Sequence, residues 1–363
     1  VIAQILIIGT LIVESQMDYF RNADMGFAKD AVINAGIPGD SLSRTKIDLL
    51  KDELKKLPGI ESVSFSTFAP SSDGGWFTDL VTPAHKGTSP EMIVSMKPAD
   101  TNYFNLYHLE LVAGRRYYAS DTVKEFVVNE TVIKNLGIKN AQAAIGKEII
   151  VEGRRCPIVG VVKDFNINSL RDPIRPVVMT TMSGAYGLTN IKIDLKQAQS
   201  VIRSMQAIWN SNYADFVFEY HFLDQTIADY YKQENQLSKL YTLFSGIAIF
   251  ISCLGLYGLV AFMAVQRKKE IGIRKVLGAP VRDIVMMLSR EFTILIVIAF
   301  LIASPIAWYY MHEWLQQYTF RIAIGAWFFV GTVVMSLVIA WLTVSYTAIK
   351  AAMANPVSSL RAE

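Results

Sequence analysis

The sequence predicts a membrane α-helical bundle of four transmembrane helices, the first truncated, with an α+β domain inserted outside the membrane after that first helix. Three observations carry this prediction. Hydrophobic residues make up 52% of the chain, charged residues only 18%, and the mean hydropathy is +0.30, more apolar than an ordinary soluble domain. The apolar excess lies at the two ends of the chain, in runs without a single charge at 240–265, 292–310 and 322–349. Between them, residues 14–223 break into short periodic segments with turn chemistry, the pattern of a folded domain of usual size.

Residues 1–13 are apolar apart from Gln4 and Thr10, yet thirteen helical residues rise only about 20 Å, short of the hydrocarbon core. With neither a leading Met nor a basic flank, this reads as a cut transmembrane helix inside a longer protein. In the domain that follows, Leu42, Ile47, Leu50, Leu54 and Leu57 predict one amphipathic helix, capped by Ser41 or Ser43 and stopped by Pro58 and Gly59. Strands are predicted at 62–68, 92–96, 125–129, 148–151, 157–162, 177–181, 191–195 and 216–221, with a hairpin turn at Gly153 and Arg154. Helices fit residues 100–107, 130–136 with Gly137 at the end, and 196–209. Strands and helices interleave, which is the α+β class.

From Asp224 a stalk helix is predicted to run without interruption into the membrane, through 224–265. Its 26-residue uncharged part is about 39 Å long, enough to cross with some tilt. Two further spans follow at 292–310 and 322–349, joined by a short external loop, 311–321. The loop 266–291 holds seven Lys and Arg (Arg267, Lys268, Lys269, Arg274, Lys275, Arg282, Arg290), whereas 311–321 holds one. The positive-inside rule therefore places 266–291 and the tail 350–363 in the cytoplasm and the α+β domain outside.

Catalytic chemistry is not legible. Gly146 and Lys147 suggest a phosphate loop, but the first glycine position is Ala141 and the hydroxyl position is Glu148. His85, His108, His221 and His312 have no zinc spacing to one another or to Cys156 and Cys253. The stretch from Ser71 to Trp76 reads as a flexible loop, with Trp76 and Phe77 as a candidate exposed contact. A net charge of +3 without a Lys/Arg-rich tract excludes a nucleic-acid partner. No charge lies inside the spans, so an ion or proton path is unsupported.

The segment Arg267, Lys268, Lys269, Glu270, Ile271, Gly272, Ile273, Arg274, Lys275, Val276, Leu277, Gly278 and Ala279 stands apart from plain topogenic charge. Apolar positions alternate with charge and glycines punctuate it, as in a short amphipathic helix lying along the membrane face. Residues 270–279, Glu-Ile-Gly-Ile-Arg-Lys-Val-Leu-Gly-Ala, resemble the cytoplasmic loop of MacB/FtsX-like ABC-transporter permeases. The tail 354–361, with Asn355, Pro356, Leu360 and Arg361, is similar to that family's C-terminal ending. Segments 102–104, 113–115, 126–131, 145–147 and 158–166 resemble the MacB-like periplasmic core domain, in the form found in large Bacteroidetes-type permeases.

The resemblance implies a mechanotransmitting permease subunit of the bacterial inner membrane, its large domain in the periplasm, serving efflux or export. It also implies that the chain is no enzyme and holds no cofactor, ATP and Mg being bound by a partner cytoplasmic ABC ATPase. That ATPase would seat on 270–279, with the tail contact close by. Membrane lipid, a second permease unit in tandem or as a homodimer, and a periplasmic adaptor or other envelope partner complete the implied set. Lipoprotein-release-type extraction and a signalling module that senses a ligand or activates a cell-wall hydrolase are the competing readings.

Overall fold

A computed structural model describes the chain except residues 73–74, 84–90, 268–269, 271–272, 275–279 and 353–363. In chain order, α1 (Ile2–Asn22) is followed by β1 (Val32–Gly36), α2 (Ser41–Thr45), α3 (Ile47–Lys55), β2 (Ile60–Ser66), β3 (Trp76–Val81) and β4 (Met92–Pro98). Next come α4 (Tyr103–Leu106), β5 (Leu111–Gly114), β6 (Phe126–Asn129), α5 (Glu130–Asn135), β7 (Glu148–Val151), β8 (Arg154–Val162) and β9 (Val177–Thr180). The series ends with β10 (Leu188–Ile193), α6 (Ala198–Asn212), β11 (Tyr220–Phe222), α7 (Leu223–Asp229) and three long helices, α8 (Lys232–Gln266), α9 (Val281–Gln316) and α10 (Ala326–Ala352). Two units separate: Ala23–Tyr231, and Val1–Asn22 together with Lys232–Glu363.

The unit Ala23–Tyr231 contains two sheets. One is antiparallel in the order β11-β1-β10-β2. Alternation along its strands sends Ile33, Val63, Phe65, Ile191 and Ile193 to one face, where Leu50, Leu54, Val201, Met205 and Trp209 of α3 and α6 complete an apolar core. The opposite face is polar, and buried at Asn34, Asn190 and Ser64. Register sets His221, Asn34, Asn190 and Ser64 side by side across the four strands. Asn190 accepts from Asn34 Nδ2 at 2.8 Å and from the Tyr107 hydroxyl at 2.9 Å, and donates to Ser66 Oγ at 2.9 Å. Ser64 Oγ passes the row on to Asp100 at 2.6 Å, and Lys51 pairs with Asp100 at 3.0 Å. Asn190→Ala orphans several of these groups at once. A loss of about 2–4 kcal/mol is expected, read as faster hydrogen exchange in peptides covering β1 and β10.

The second sheet runs β5-β8-β6-β9-β4-β3-β7, and β7 also pairs with β8, so six of its strands close on themselves. Leu80, Val94, Met96, Phe126, Val128, Ile149, Ile158, Val161 and Val178 fill the interior. The tight link between β7 and β8 is Glu152 and Gly153, at φ 51° and 72°, a two-residue turn with both φ positive. It lies one residue before the predicted position. Gly114 and Gly160 are register partners, and a Cβ on Gly160 would sit 2.2 Å from the Arg115 carbonyl oxygen. The segments 126–131 and 158–166 interlock: Asp164 accepts from the Thr131 amide at 2.9 Å and its hydroxyl at 2.8 Å, while Glu130 accepts from the Asp164 amide at 3.1 Å.

Lys97, on β4, is buried and forms no ion pair among the described residues. Its Nζ donates to the Ala69 carbonyl at 3.0 Å and lies 5.9 Å from the Phe68 ring centre. Burial lowers its pKa to about 7.

Several boundaries differ from the sequence reading. The amphipathic stretch is two helices broken at Lys46, and its cap is Asp40, whose side chain accepts from the Ser43 amide, rather than Ser41 or Ser43. The predicted continuous stalk is interrupted at Tyr230 and Tyr231, where α7 ends before α8 begins. The first helix runs past residue 13 to Asn22, because the charged Glu14, Asp18 and Arg21 end its apolar character without ending its helix.

Among the described residues, three helices are long and apolar enough to cross a membrane: Lys232–Gln266, Val285–Gln316 and Ala326–Tyr346. The predicted four-helix count thus stands at three by length and composition. Still, α1 packs with α8 and α9, burying Ile7, Ile8, Ile12, Val13 and Met17. A Cβ on Gly9 would lie 3.1 Å from the Tyr241 ring of α8.

Candidate functional site

Helices α8 and α9 are joined by the basic segment singled out in the sequence, and the described residues at its two ends show how it is held. Val260, Phe292 and Val344, one from each long helix, form a small buried cluster with Leu256, Met263, Val285 and Met287 around it. Trp341 Nε1 donates to Thr293 Oγ1 at 3.1 Å nearby. The segment leaves from this end of the bundle.

Arg267 follows the last turn of α8, its amide donating to the Met263 carbonyl at 2.9 Å, and its guanidinium pairs with Glu291 of α9 at 2.9 Å. Glu270, Ile273 and Arg274 are helical, and Glu270 and Arg274 form an i,i+4 ion pair at 2.7 Å. Arg274 also reaches the Met287 sulfur of α9 at 2.7 Å. Ile273 is 55% exposed, an apolar side chain presented outward between two charges. Pro280 then starts α9, its fixed φ suited to a helix entry and its carbonyl accepting from the Asp283 amide at 3.1 Å. Lys268, Lys269, Ile271, Gly272, Lys275, Val276, Leu277, Gly278 and Ala279 lie outside the described residues, as do Asn355, Pro356, Leu360 and Arg361 of the tail.

The partners on α9, Glu291 and Met287, were not singled out by the sequence reading. Their spacing of four residues was the available signal, since it puts both on one face of a helix. Arg267 and Arg274 therefore grip two successive turns of α9.

At the other end of the bundle a second clasp ties α1 to the chain between α9 and α10. Gln16, fully buried, donates through Nε2 to the Phe320 carbonyl at 3.1 Å and accepts from the Ile322 amide at 2.9 Å. Phe20 packs against Tyr318 in a tilted arrangement with ring centres 5.3 Å apart, and Ser238 of α8 donates to Glu14 at 2.7 Å. Gln16→Ala removes the partner of two half-buried backbone groups, so destabilisation of about 1–2 kcal/mol is expected. The readout is a lower thermal midpoint for retention of the detergent-solubilised monomer.

Trp76 and Phe77, the candidate outer contact, belong to strand β3 and point to opposite faces. Trp76 packs against the closed-sheet core and its Nε1 donates to Glu152. Phe77 is 46% exposed, with the Arg175 guanidinium 5.3 Å from its ring centre. Of the stretch read as a flexible loop, Ser71, Ser72 and Gly75 lie outside helix and strand, Ser71 is fully buried, the Ser72 amide donates to the Ile167 carbonyl at 3.1 Å, and Asp73 and Gly74 lie outside the described residues.

A multi-span membrane protein with an inserted α+β domain and a clamped basic connection between its spans is the class these features define. Family models agree in both halves. A MacB-like periplasmic core domain matches residues 1–210, and an FtsX-like permease C-terminal region matches residues 242–356. The chain belongs to the MacB/FtsX-like family of ABC transporter permeases. It is 20% identical over 280 residues to the uncharacterized ABC transporter permease YknZ of Bacillus subtilis strain 168, covering 72% of this chain and 68% of that protein.

Among solved structures, the periplasmic region of MacB from Actinobacillus actinomycetemcomitans is 17% identical, covers 54% of this chain and 91% of its own, and has a TM-score of 0.40. The extracellular domain of YknZ is 12% identical at a TM-score of 0.38, with 52% and 98% coverage. A domain of a putative permease from Porphyromonas gingivalis is 13% identical at 0.37, with 54% and 90% coverage.

Proposed function

We propose that this chain is the mechanotransmitting subunit of an ABC transporter, converting ATP hydrolysis by a partner ATPase into movement of its α+β unit for efflux or export. The observation that carries the reading is the grip of Arg267 and Arg274 on α9, which lets the 267–279 segment act as a lever on the bundle rather than as a loose loop. In this reading α1 crosses the inner membrane with the three long helices. The basic segment and the 350–363 tail meet the ATPase in the cytoplasm, and the α+β unit works in the periplasm beside an adaptor or other envelope partner. A second permease unit supplies the other half of the device. Because α1 and α8 both continue covalently into the α+β unit, a shift between them reaches it along two strands of chain.

The decisive test exchanges the charges in the double variant Glu270→Arg with Arg274→Glu. The i,i+4 pair is kept, so insertion and folding are retained, but the charges presented outward are reversed. Co-purification of the ATPase from native membranes is expected to fall roughly tenfold or more. Undiminished co-purification would remove the docking assignment.

Sidedness has its own test. In a background without Cys156 and Cys253, Asp215→Cys is expected to react with an impermeant thiol reagent in spheroplasts and Arg282→Cys to react only after lysis. Both are exposed positions. The reverse pattern would invert the proposed topology.

A further inference from the structure

A cavity of about 600 Å³ lies in the α+β unit where the ends of β1 and β11 meet the 67–72 segment. That segment is rigidly held. Thr67 Oγ1 donates to the Ala185 carbonyl at 2.9 Å, and the Phe68 carbonyl accepts from Ser66 Oγ at 2.8 Å and from the Tyr103 hydroxyl at 3.1 Å. Lys97 holds the Ala69 carbonyl and Ile167 holds the Ser72 amide, as described above. The floor of the cavity is thus formed before anything enters it, which lowers the ordering cost of binding.

Aromatic walls come from Phe68, Trp209 and Phe216. Two polar residues share the lining with them. Ser71 lines the cavity, is fully buried, and its Oγ has no hydrogen-bond partner among the described residues. Asn34 has committed its Nδ2 to Tyr107 and Asn190, so its amide oxygen is the group left to accept. A buried hydroxyl without a partner is unfavourable, a cost that a ligand oxygen would remove. The charged or titratable side chains on the wall are Glu219 and His221, both exposed, so nothing deep in the cavity is placed to pair with an ion. The volume falls within the range of about 300–1,000 Å³ typical of small-molecule sites.

We propose that this cavity binds a small, uncharged amphipathic ligand. Its aromatic or alicyclic body lies between Phe68, Trp209 and Phe216, and one oxygen accepts from the Ser71 hydroxyl. The site draws on the α+β unit alone, so it stands or falls independently of the proposed coupling to an ATPase.

Benzophenone, two rings around one carbonyl oxygen, is a photoreactive probe of this chemistry. The full chain in lipid nanodiscs, with no ATPase present, is irradiated over a concentration series and the labelled peptides are mapped by mass spectrometry. Saturable labelling of peptides covering 67–72 and 209–223 is the expected result, separable from unsaturable labelling of lipid-facing helices. Ser71→Ala removes only the orphan hydroxyl and is expected to raise the half-saturating concentration several-fold. At Gly36 a Cβ would meet nothing within 4 Å, so Gly36→Phe can fill the cavity from the end of β1 and is expected to abolish the saturable component. Labelling confined to the membrane helices means that water alone satisfies Ser71 and overturns the proposal. So does labelling that either substitution leaves unchanged while exchange protection of β1 and β10 shows the unit folded.

Discussion

Lys97→Met is expected to stabilise the α+β unit at pH 7 by about 2–4 kcal/mol and to flatten its pH dependence above neutrality. In the folded chain the Lys97 pKa is about 7, lowered from 10.5 by burial. In the unfolded chain the amine is solvated and titrates at its ordinary value. Below pH 7 both states carry the proton and the cost of burying the charge is fully present. Between pH 7 and 10.5 the unfolded state holds a proton that the folded state has released, so stability rises with pH; above that window the cost is gone. Methionine follows the same path without a charge, giving up only the hydrogen bond to Ala69 and the ring contact with Phe68. Hydrogen exchange in peptides covering β4 and β9, corrected for intrinsic rate at each pH, is the measurement. A variant whose protection keeps the parent's slope between pH 7 and 10 would show that Lys97 is not the titrating group.

Gly160→Ala acts in the opposite direction and is expected to cost about 4 kcal/mol or more, enough to open the closed sheet. The added Cβ would stand 2.2 Å from the Arg115 carbonyl oxygen, a contact with backbone that no rotamer can relieve. Its register partner Gly114 is equally confined: at φ 73°, its Cβ would lie 2.3 Å from the Val159 carbonyl oxygen. The two strands approach this closely because neither residue has a side chain, and β8 cannot step aside while it also pairs with β6 and β7. The expected readout is loss of exchange protection in 111–114 and 154–162, with α8 to α10 still protected. Protection equal to the parent's in those strands would show that the sheet relaxes around the methyl group.

The membrane runs could be read directly because nothing competes with their signal, while the α+β unit could be read only in part. Strand β7 and helix α6 announced themselves through period and turn chemistry. Strand β1 did not, because Asn34 and Gly36 in Val-Ile-Asn-Ala-Gly read as turn residues, and the sequence gives no hint that Asn190 and Tyr107 would bury that amide. The same blindness hid Lys97, since an isolated lysine in a strand pattern reads as its solvent face. Strand β3 was lost behind the run Ser71 to Gly75, whose composition is that of a turn although Ser71 is fully buried. In the basic segment the alternation of charge and apolar residues was legible, but its anchors on α9 depend on how two helices pack. Conversely, Gly114 and Gly160 stood out as parts of recognisable segments, and only the structure supplies the reason, which is the distance between two backbones.

The pairing of β1 with β10 also sets a clock. Val32 finds its partner in Lys192, about 160 residues later in the chain, and β2 waits for the same strand. At ribosomal speeds of about 5–20 residues per second, the first strand to emerge spends roughly 10–30 s with both edges unpaired. For that interval the half-finished sheet is a template for any extended chain nearby. Slowing translation downstream of β1 therefore lengthens the vulnerable period, whereas a pause after β11 does not, so yield depends on where synthesis pauses as well as on how stable the finished protein is.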